Sequence, residues 1–162
     1  MSVLNMSMPP VEERLDGHGL TIGIVVARYN WSITGALLRL AQEELLRLGV
    51  SIDHLHIVTV PGSYELPIAA RSMLADETFD GLIVFGCVMK GETRHDVVVA
   101  DAAAQGIQRV ALDTGVPIIF GVICANTQQQ AEARIVRGTE CAQAVVEMAR
   151  IIRTLHERKR AR

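Results

Sequence analysis

The sequence predicts an α/β domain in which helices cover both faces of a parallel sheet. Short runs rich in Ile and Val alternate along the chain with stretches of helical periodicity, and this alternation is typical of doubly wound α/β folds. The apolar runs are nearly continuous, which indicates strands that are buried on both faces. A chain of 162 residues is long enough to bury its own core, so we expect one domain over residues 1–162.

The same patterns predict the individual elements. Runs rich in Ile and Val predict strands at 20–28, 53–60, 79–89 and 116–123. Apolar residues repeating at i, i+3 and i+4 predict helices at 30–48, at 65–74, at 96–113, and in a broken C-terminal pair at 128–136 and 139–156. Gly49 ends the first helix, and Gly138 is expected at the break in the last.

Composition argues against several classes of protein. The formal net charge of −2 offers no footprint for nucleic acid, and we interpret the basic tail "RTLHERKRAR" as a solvated helix end. No apolar stretch approaches a membrane-spanning length, and the first residues lack the features of a secretion signal, so we expect a cytoplasmic protein without membrane partners. Residues 1–16 are expected to be loosely ordered or to lie on a neighbouring subunit.

The three cysteines show no metal-binding pattern. Cys87, Cys124 and Cys141 lack C-x-x-C spacing, and two of them sit at the ends of apolar runs. We expect buried, reduced thiols and no metal site.

Unusual polar clusters follow each predicted strand. They read "RYNW", "PGSYE", "KGETRH" and "CANTQQQ" in chain order. Ligands of open α/β sheets bind outside the carboxyl ends of the strands. The sequence therefore predicts a ligand site at this edge of the sheet.

The segment "GCVMKGETRH" at 86–95 has two interpretations. Thr93 and Asp96 have the spacing of a capping box, so a helix would begin near Arg94 and turn its free N–H groups toward the strand ends. Such an N-terminus binds anions, and Gly91 would let the backbone approach a phosphate. The alternative is an ordinary loop, in which His95 is a surface residue and not a group that transfers protons.

Three further side chains are open to the same choice. Tyr29 either stacks on a flat ring or fills space. Glu65 either lies at a helix N-terminus, where the helix dipole stabilises its negative charge, or accepts hydrogen bonds from a polyhydroxyl ligand. Arg134, two turns into a helix that Thr127 and Gln130 start as a capping box, is either solvated or grips a phosphate.

Taken together, these stretches resemble the lumazine synthase family of riboflavin biosynthesis. The resemblance runs from about 20 to 152 through "ARYN", "VPGSYELP", "GCVMKGETRH", "GVPIIFGVICANTQQQAEAR" and "RGTECAQAVVEMA" in the expected order. It implies a three-layer flavodoxin-like fold with a four-stranded parallel sheet, and pentamers or assemblies of pentamers, with riboflavin synthase as a further candidate partner. The implied reaction condenses 5-amino-6-(D-ribitylamino)uracil with 3,4-dihydroxy-2-butanone 4-phosphate to 6,7-dimethyl-8-ribityllumazine, releasing phosphate and water, without a cofactor.

The resemblance also implies a role for individual residues. His95 matches the acid–base histidine of the family, and Phe120 the aromatic residue that closes the pocket from an adjacent subunit. The remaining matches are Tyr29 for stacking on the pyrimidine, Ser63, Tyr64 and Glu65 for the ribityl chain, Cys87, Val88 and Met89 for the pyrimidine edge, and Glu92, Thr93 and Arg134 for the phosphate.

Three departures from the family pattern bear on two rival hypotheses, and they motivate the first of them. Arg94 and Asp96 replace the residues common on either side of the histidine, and Asp96 either caps the helix or stabilises protonated His95. The connection after Arg134 is short, so that Arg137 and Glu140 stand for a lysine and an acidic residue that orients the histidine. The rivals are a degenerate paralogue that binds a flavin or lumazine without turnover, and a general flavodoxin-like phosphate binder.

Overall fold

The computed structural model describes residues 15–162 and confirms the predicted fold class. A four-stranded, all-parallel sheet has the strand order β2-β1-β3-β4. The strands are β1 (Ile22–Ala27), β2 (Leu55–Val60), β3 (Gly81–Met89) and β4 (Ile118–Ala125). The expectation for residues 1–16 falls almost wholly outside the described range.

Five α-helices connect and follow the strands within residues 15–162. They are α1 (Trp31–Arg47), α2 (Leu66–Asp76), α3 (His95–Thr114), α4 (Gln128–Glu132) and α5 (Arg137–Arg160). The basic tail is the exposed end of α5, as predicted. Within residues 15–162, no helix is both long and apolar enough to cross a membrane.

The helices form two layers because β1 and β3 are buried on both faces. Ile22, Ile24 and Val26 of β1 join one core cluster, which also contains residues of α1 and α5. Val25 and Ala27 point the other way, into a second cluster with residues of α2 and α3. The alternation along one strand thus holds both helical layers to the sheet.

Strand β2 departs from the expectation of burial on both faces. It lies at one edge of the sheet, and its residues 57–59 are exposed. Its apolar residues Ile57 and Val58 are 37% and 40% exposed. The apolar run predicted a strand correctly, but nothing in the described chain covers its middle.

The predicted helix break at Gly138 is wrong. The break falls at residues 133–136, and Gly138 lies in the first turn of α5. A Cβ at Gly138 would collide with the backbone of Leu37 in α1, whose Cα would be only 3.0 Å away. The glycine is therefore needed for the close crossing of α1 and α5 rather than for a turn.

We predict that Gly138→Ala destabilises the fold by about 1–3 kcal/mol, because α1 and α5 must move apart to admit the methyl group. Chemical denaturation measures the loss. Gly91→Ala is the matched control for stability, since a Cβ there meets nothing within 4 Å. Equal stability of the two variants would contradict the close crossing.

Candidate functional site

Loops that follow β1, β2 and β3 line two adjoining cavities at the carboxyl edge of the sheet. Their volumes are about 370 and 310 Å³. The cavities share Tyr29, Ser63, His95 and Val99. The first is also lined by Gly62, Tyr64, Glu65 and Val98, and the second by Asn30, Cys87, Val88, Met89, Gly91, Thr93 and Asp96.

Tyr29 stands in the loop between β1 and α1 with its ring on the rim of both cavities. Its backbone N–H donates to the carbonyl of Pro61 at 3.0 Å, which continues the pairing of β1 with β2. The side chain is 66% exposed, yet its ring lies so close to Gly62 that a Cβ there would be 2.7 Å from Cδ2. Gly62 therefore seats the ring and leaves its outer face free, which suits stacking on a planar ligand.

The turn after β2 presents a buried hydroxyl, an exposed ring and a carboxylate. Residues Ser63–Glu65 form one turn of 3-10 helix that leads directly into α2. Ser63 is only 5% exposed, and a Cβ at Gly86 would press against it, with 3.2 Å to its Cβ. The close approach brings this turn against β3, so groups from two loops meet in one cavity.

His95 begins α3, but the predicted capping box does not form. The N-cap residue is Arg94, which makes no side-chain cap. The hydroxyl of Thr93 accepts a hydrogen bond from the N–H of His95 at 3.3 Å. Across residues 15–162 we find no hydrogen bond or ion pair that joins Asp96 to His95. The imidazole is exposed at the cavity wall, where it can exchange protons with a ligand.

The capping box predicted at the start of α4 is confirmed in its first half. The hydroxyl of Thr127 accepts from the N–H of Gln130 at 3.2 Å. The side chain of Gln130 returns to the N–H of Asn126 at 2.9 Å. This loop follows β4 and fixes where α4, and hence Arg134, leaves the sheet.

Asn30 lines the second cavity and was not singled out in the sequence. It has φ 60° and ψ 47°, and it is the one non-glycine residue at 15–162 with positive φ. Its Nδ2 donates to the carbonyl of Cys87 at 2.9 Å. An Asn between a strand and a helix is a weak signal for the left-handed conformation. Its partner lies 57 positions away, and no local pattern could have shown it.

Five of the predicted site residues do not line the cavities. Glu92 is exposed in the loop before α3, and Nη1 of Arg134 donates to the carbonyl of Gln130 at 2.8 Å. Phe120 lies near the start of β4, five residues before its end, which is roughly 16 Å away along the strand. Arg137 and Glu140 pair with each other at 3.0 Å.

The thiols differ from the expectation at one position. Cys87 and Cys141 are buried, but Cys124 is exposed. Burial raises the pKa of Cys87, and it raises the pKa of Cys141 to about 11. The pKa of Cys124 is also raised, first by desolvation and then by the charges of Asp101 and Asp96. Within the described part of the chain, no three His, Cys, Asp or Glu residues are grouped as metal ligands would be.

Comparison with known proteins identifies relatives along most of the chain. The family model described as 6,7-dimethyl-8-ribityllumazine synthase matches residues 19–153. A protein of that name from Nitrosospira multiformis is 41% identical over 148 residues, which cover 91% of this chain and 92% of the relative. A protein of the same name from Polynucleobacter necessarius is 46% identical over 142 residues, which cover 87% of this chain and 83% of the relative. One from Laribacter hongkongensis is 38% identical over 157 residues, with 95% and 100% covered.

We predict that iodoacetamide labels Cys124 of the native protein well before Cys141. A thiol of pKa about 11 is only about 0.1% thiolate at pH 8, and Cys141 is also shielded from solvent. Peptide mass spectrometry after timed labelling gives both rates, and denatured protein serves as the control in which both cysteines react. If Cys141 of the native protein were labelled as fast as Cys124, Cys141 would not be buried as the structure shows.

Proposed function

This chain belongs to the 6,7-dimethyl-8-ribityllumazine synthase family, and on that premise we propose that it is a transferase of riboflavin biosynthesis. The reaction joins 5-amino-6-(D-ribitylamino)uracil to 3,4-dihydroxy-2-butanone 4-phosphate and yields 6,7-dimethyl-8-ribityllumazine, phosphate and water. The relatives named above all carry the synthase name. This favours an enzyme over the degenerate paralogue and over a general phosphate binder.

The observation that carries the proposal is the meeting of three strand-end loops around the two adjoining cavities. The exposed ring of Tyr29 would stack on the pyrimidine, and the turn Ser63–Glu65 would hold the ribityl chain, with Glu65 accepting from a hydroxyl. Backbone groups of Cys87–Met89 would receive the polar edge of the pyrimidine. These groups suit a flat ring with a polyhydroxyl chain.

The phosphate would lie at the start of α3. The backbone of Glu92 and Thr93 precedes the N-terminus of a helix of 20 residues, and this end of the helix favours negative charge. Gly91 has no side chain to block the approach, and a Cβ there would meet nothing within 4 Å. The phosphate of the butanone substrate would thus be held beside His95.

His95 would move the protons that the reaction requires. The amine of the pyrimidine attacks the ketone, and loss of water leaves an imine. Elimination of phosphate, tautomerisation and attack of the second nitrogen on the new carbonyl then close the ring with loss of a second water. Each step adds or removes a proton at nitrogen, oxygen or carbon, and one imidazole that lines both cavities could serve several of them. Holding both substrates in register supplies much of the remaining acceleration.

The site would be completed by a neighbouring subunit. Arg134 and Phe120 do not line the cavities of their own chain. From an adjacent subunit, Phe120 would cover the pyrimidine and Arg134 would stabilise the departing phosphate. Arg137 and Glu140 belong to the same proposal, with Glu140 exchanging its present ion pair for an orienting contact with His95.

Exposed apolar surface supports assembly. Ile57 and Val58 on β2, Ile68 on α2, and Val97 and Val98 on α3 are all more than a third exposed. Assembly would remove such apolar groups from water, which favours association. We propose a homopentamer or an assembly of pentamers, with riboflavin synthase as a further candidate partner.

Domain organisation and location complete the proposal. We propose that residues 1–162 act as one domain in the cytoplasm. The free cysteines at 87, 124 and 141 support a reducing compartment, since an exposed thiol such as Cys124 persists most readily there.

The proposed activity is tested by mixing the purified protein with both substrates and following the absorbance of the lumazine above the uncatalysed background. We expect a rate proportional to protein concentration, and we expect His95→Ala to lower kcat about 100-fold or more while pyrimidine affinity stays nearly unchanged. A wild-type rate no faster than background, with the pyrimidine still bound, would instead support the non-catalytic paralogue.

A mixing experiment tests the shared site. His95→Ala and Arg134→Ala proteins are each assayed at low butanone phosphate, where loss of the phosphate contact is most costly, and are then dissociated and reassembled together. In a ring of shared sites, equal mixing restores about a quarter of wild-type activity, because one interface in four combines both intact residues.

The control mixes His95→Ala with the double variant His95→Ala/Arg134→Ala, which should stay inactive. If the mixture of His95→Ala and Arg134→Ala proteins assembles, as judged by sedimentation, but stays inactive, then Arg134 and His95 of each active site belong to one chain.

A further inference from the structure

We infer that Asn30 is a positioning residue: its side-chain amide fixes the Cys87 carbonyl and so holds the Cys87–Met89 segment in the conformation that receives the pyrimidine. The inference rests on the proposed function, since it assigns a role within that site. Asn30 contributes no catalytic group, and its partner Cys87 lies 57 positions away in the sequence.

The hydrogen bond occupies a place where the sheet itself has ended. Backbone pairing of β1 with β3 ends at Val26 and Phe85. On the other side of β3, pairing with β4 continues to Met89 and Ala125. The Cys87 carbonyl lies beyond the last β1 pair and accepts from Asn30 Nδ2 at 2.9 Å. On the β1 side, the side-chain amide therefore takes the place of a strand partner.

The Asn30 side chain is committed to the Cys87 carbonyl and does not cap its own helix. Asn30 holds the N-cap position of α1, where an Asn side chain ordinarily accepts from the first turn of the helix. It makes no such cap, although its backbone carbonyl accepts from the N–H groups of Ile33 and Thr34 at 2.9 and 3.1 Å, as the carbonyl of an N-cap residue ordinarily does. The left-handed conformation turns the amide toward β3, and Asn is among the few residues that tolerate this conformation.

The bond spans the crevice at which ligands of this fold bind. From β1 the chain runs to β2 on one side, and β3 lies on the other side, so the strand order reverses between β1 and β3. Tyr29, the preceding residue, is bonded to the β2 side through Pro61. Residues 29 and 30 thus tie the stacking ring and the segment that receives the pyrimidine edge to one loop. Losing the Asn30 bond should weaken pyrimidine binding without disturbing the phosphate end of the site.

Two substitutions separate the amide from the backbone conformation. Asn30→Asp keeps the shape and the tolerance for the left-handed conformation, but places a carboxylate against the Cys87 carbonyl. Asn30→Gly keeps the backbone conformation at no steric cost and removes the donor. Thr114→Val is the control for lost hydrogen bonding away from the site. At the far end of α3 it removes the bond from the Thr114 hydroxyl to the carbonyl of Val110 at 2.7 Å and the acceptor of the Val116 N–H at 3.4 Å.

The decisive measurement is titration of each full-length protein with 5-amino-6-(D-ribitylamino)uracil alone, followed by KM for each substrate. We expect both Asn30 variants to bind the pyrimidine about 3- to 10-fold more weakly, which is the range for one lost hydrogen bond, with Asp at the upper end. The KM for the butanone phosphate should change less than about twofold, and Thr114→Val should alter only the melting temperature.

The outcomes are distinct from those that test the proposed function. A wild type that binds the pyrimidine without turnover would overturn the proposed activity, yet weaker binding by the Asn30 variants would still support the positioning role. Wild-type pyrimidine affinity in both variants, or equal losses for both substrates, would overturn it. A wild type that does not bind the pyrimidine would overturn both.

Discussion

Burial of β1 and β3 on both faces is the constraint on which the rest of this structure depends. Every residue of β1 is buried, as are the first seven of β3. Two faces need two layers of helices, and a helix between each pair of consecutive strands returns the chain so that all four strands run parallel. All four carboxyl ends then meet at one edge. The site lies there because the packing of the core leaves the strand-end loops at that edge next to one another.

Close approach between these loops depends on the absence of side chains at two positions. Gly62 leaves room for the ring of Tyr29, and Gly86 leaves room for Ser63 against β3. A methyl group at either position would separate elements whose polar groups line the same two cavities. The exposed outer face of the Tyr29 ring costs free energy in the unliganded chain, and a stacked ligand would recover it. Under the proposed function, packing and binding would be coupled at this edge.

Two predicted site residues lie outside the cavities of their own chain, and the same chain leaves apolar surface exposed on its edge strand. Arg134, in the break between α4 and α5, bonds to the carbonyl of Gln130 in α4, and Phe120 lies far from the carboxyl edge. Ile57 and Val58 on the edge strand expose apolar surface that no described element covers. Under the proposed assembly both observations have one cause. A neighbouring subunit would bury the apolar surface, and Arg134 and Phe120 of one subunit would complete the cavities of the next. The shared site would then make activity depend on assembly.

Local patterns in the sequence were sufficient for the fold class, the order of the elements and the loops that form the site. The Ile- and Val-rich runs predicted all four strands, and Tyr29, Ser63 and His95 were placed correctly at strand ends. Local patterns failed where the answer depended on a distant partner. Gly138 was expected to break a helix, whereas its role is to admit Leu37 of α1.

Tertiary structure alone decided which distant residues meet. By itself the sequence determined the periodicity of burial and the chemistry of each loop, since both are set by neighbours along the chain. It could not determine that β2 would be an edge strand with an exposed middle, or that Asn30 would reach a carbonyl 57 residues away. Those outcomes depend on strand register and helix packing, which bring together groups whose spacing along the chain carries no record of their contact.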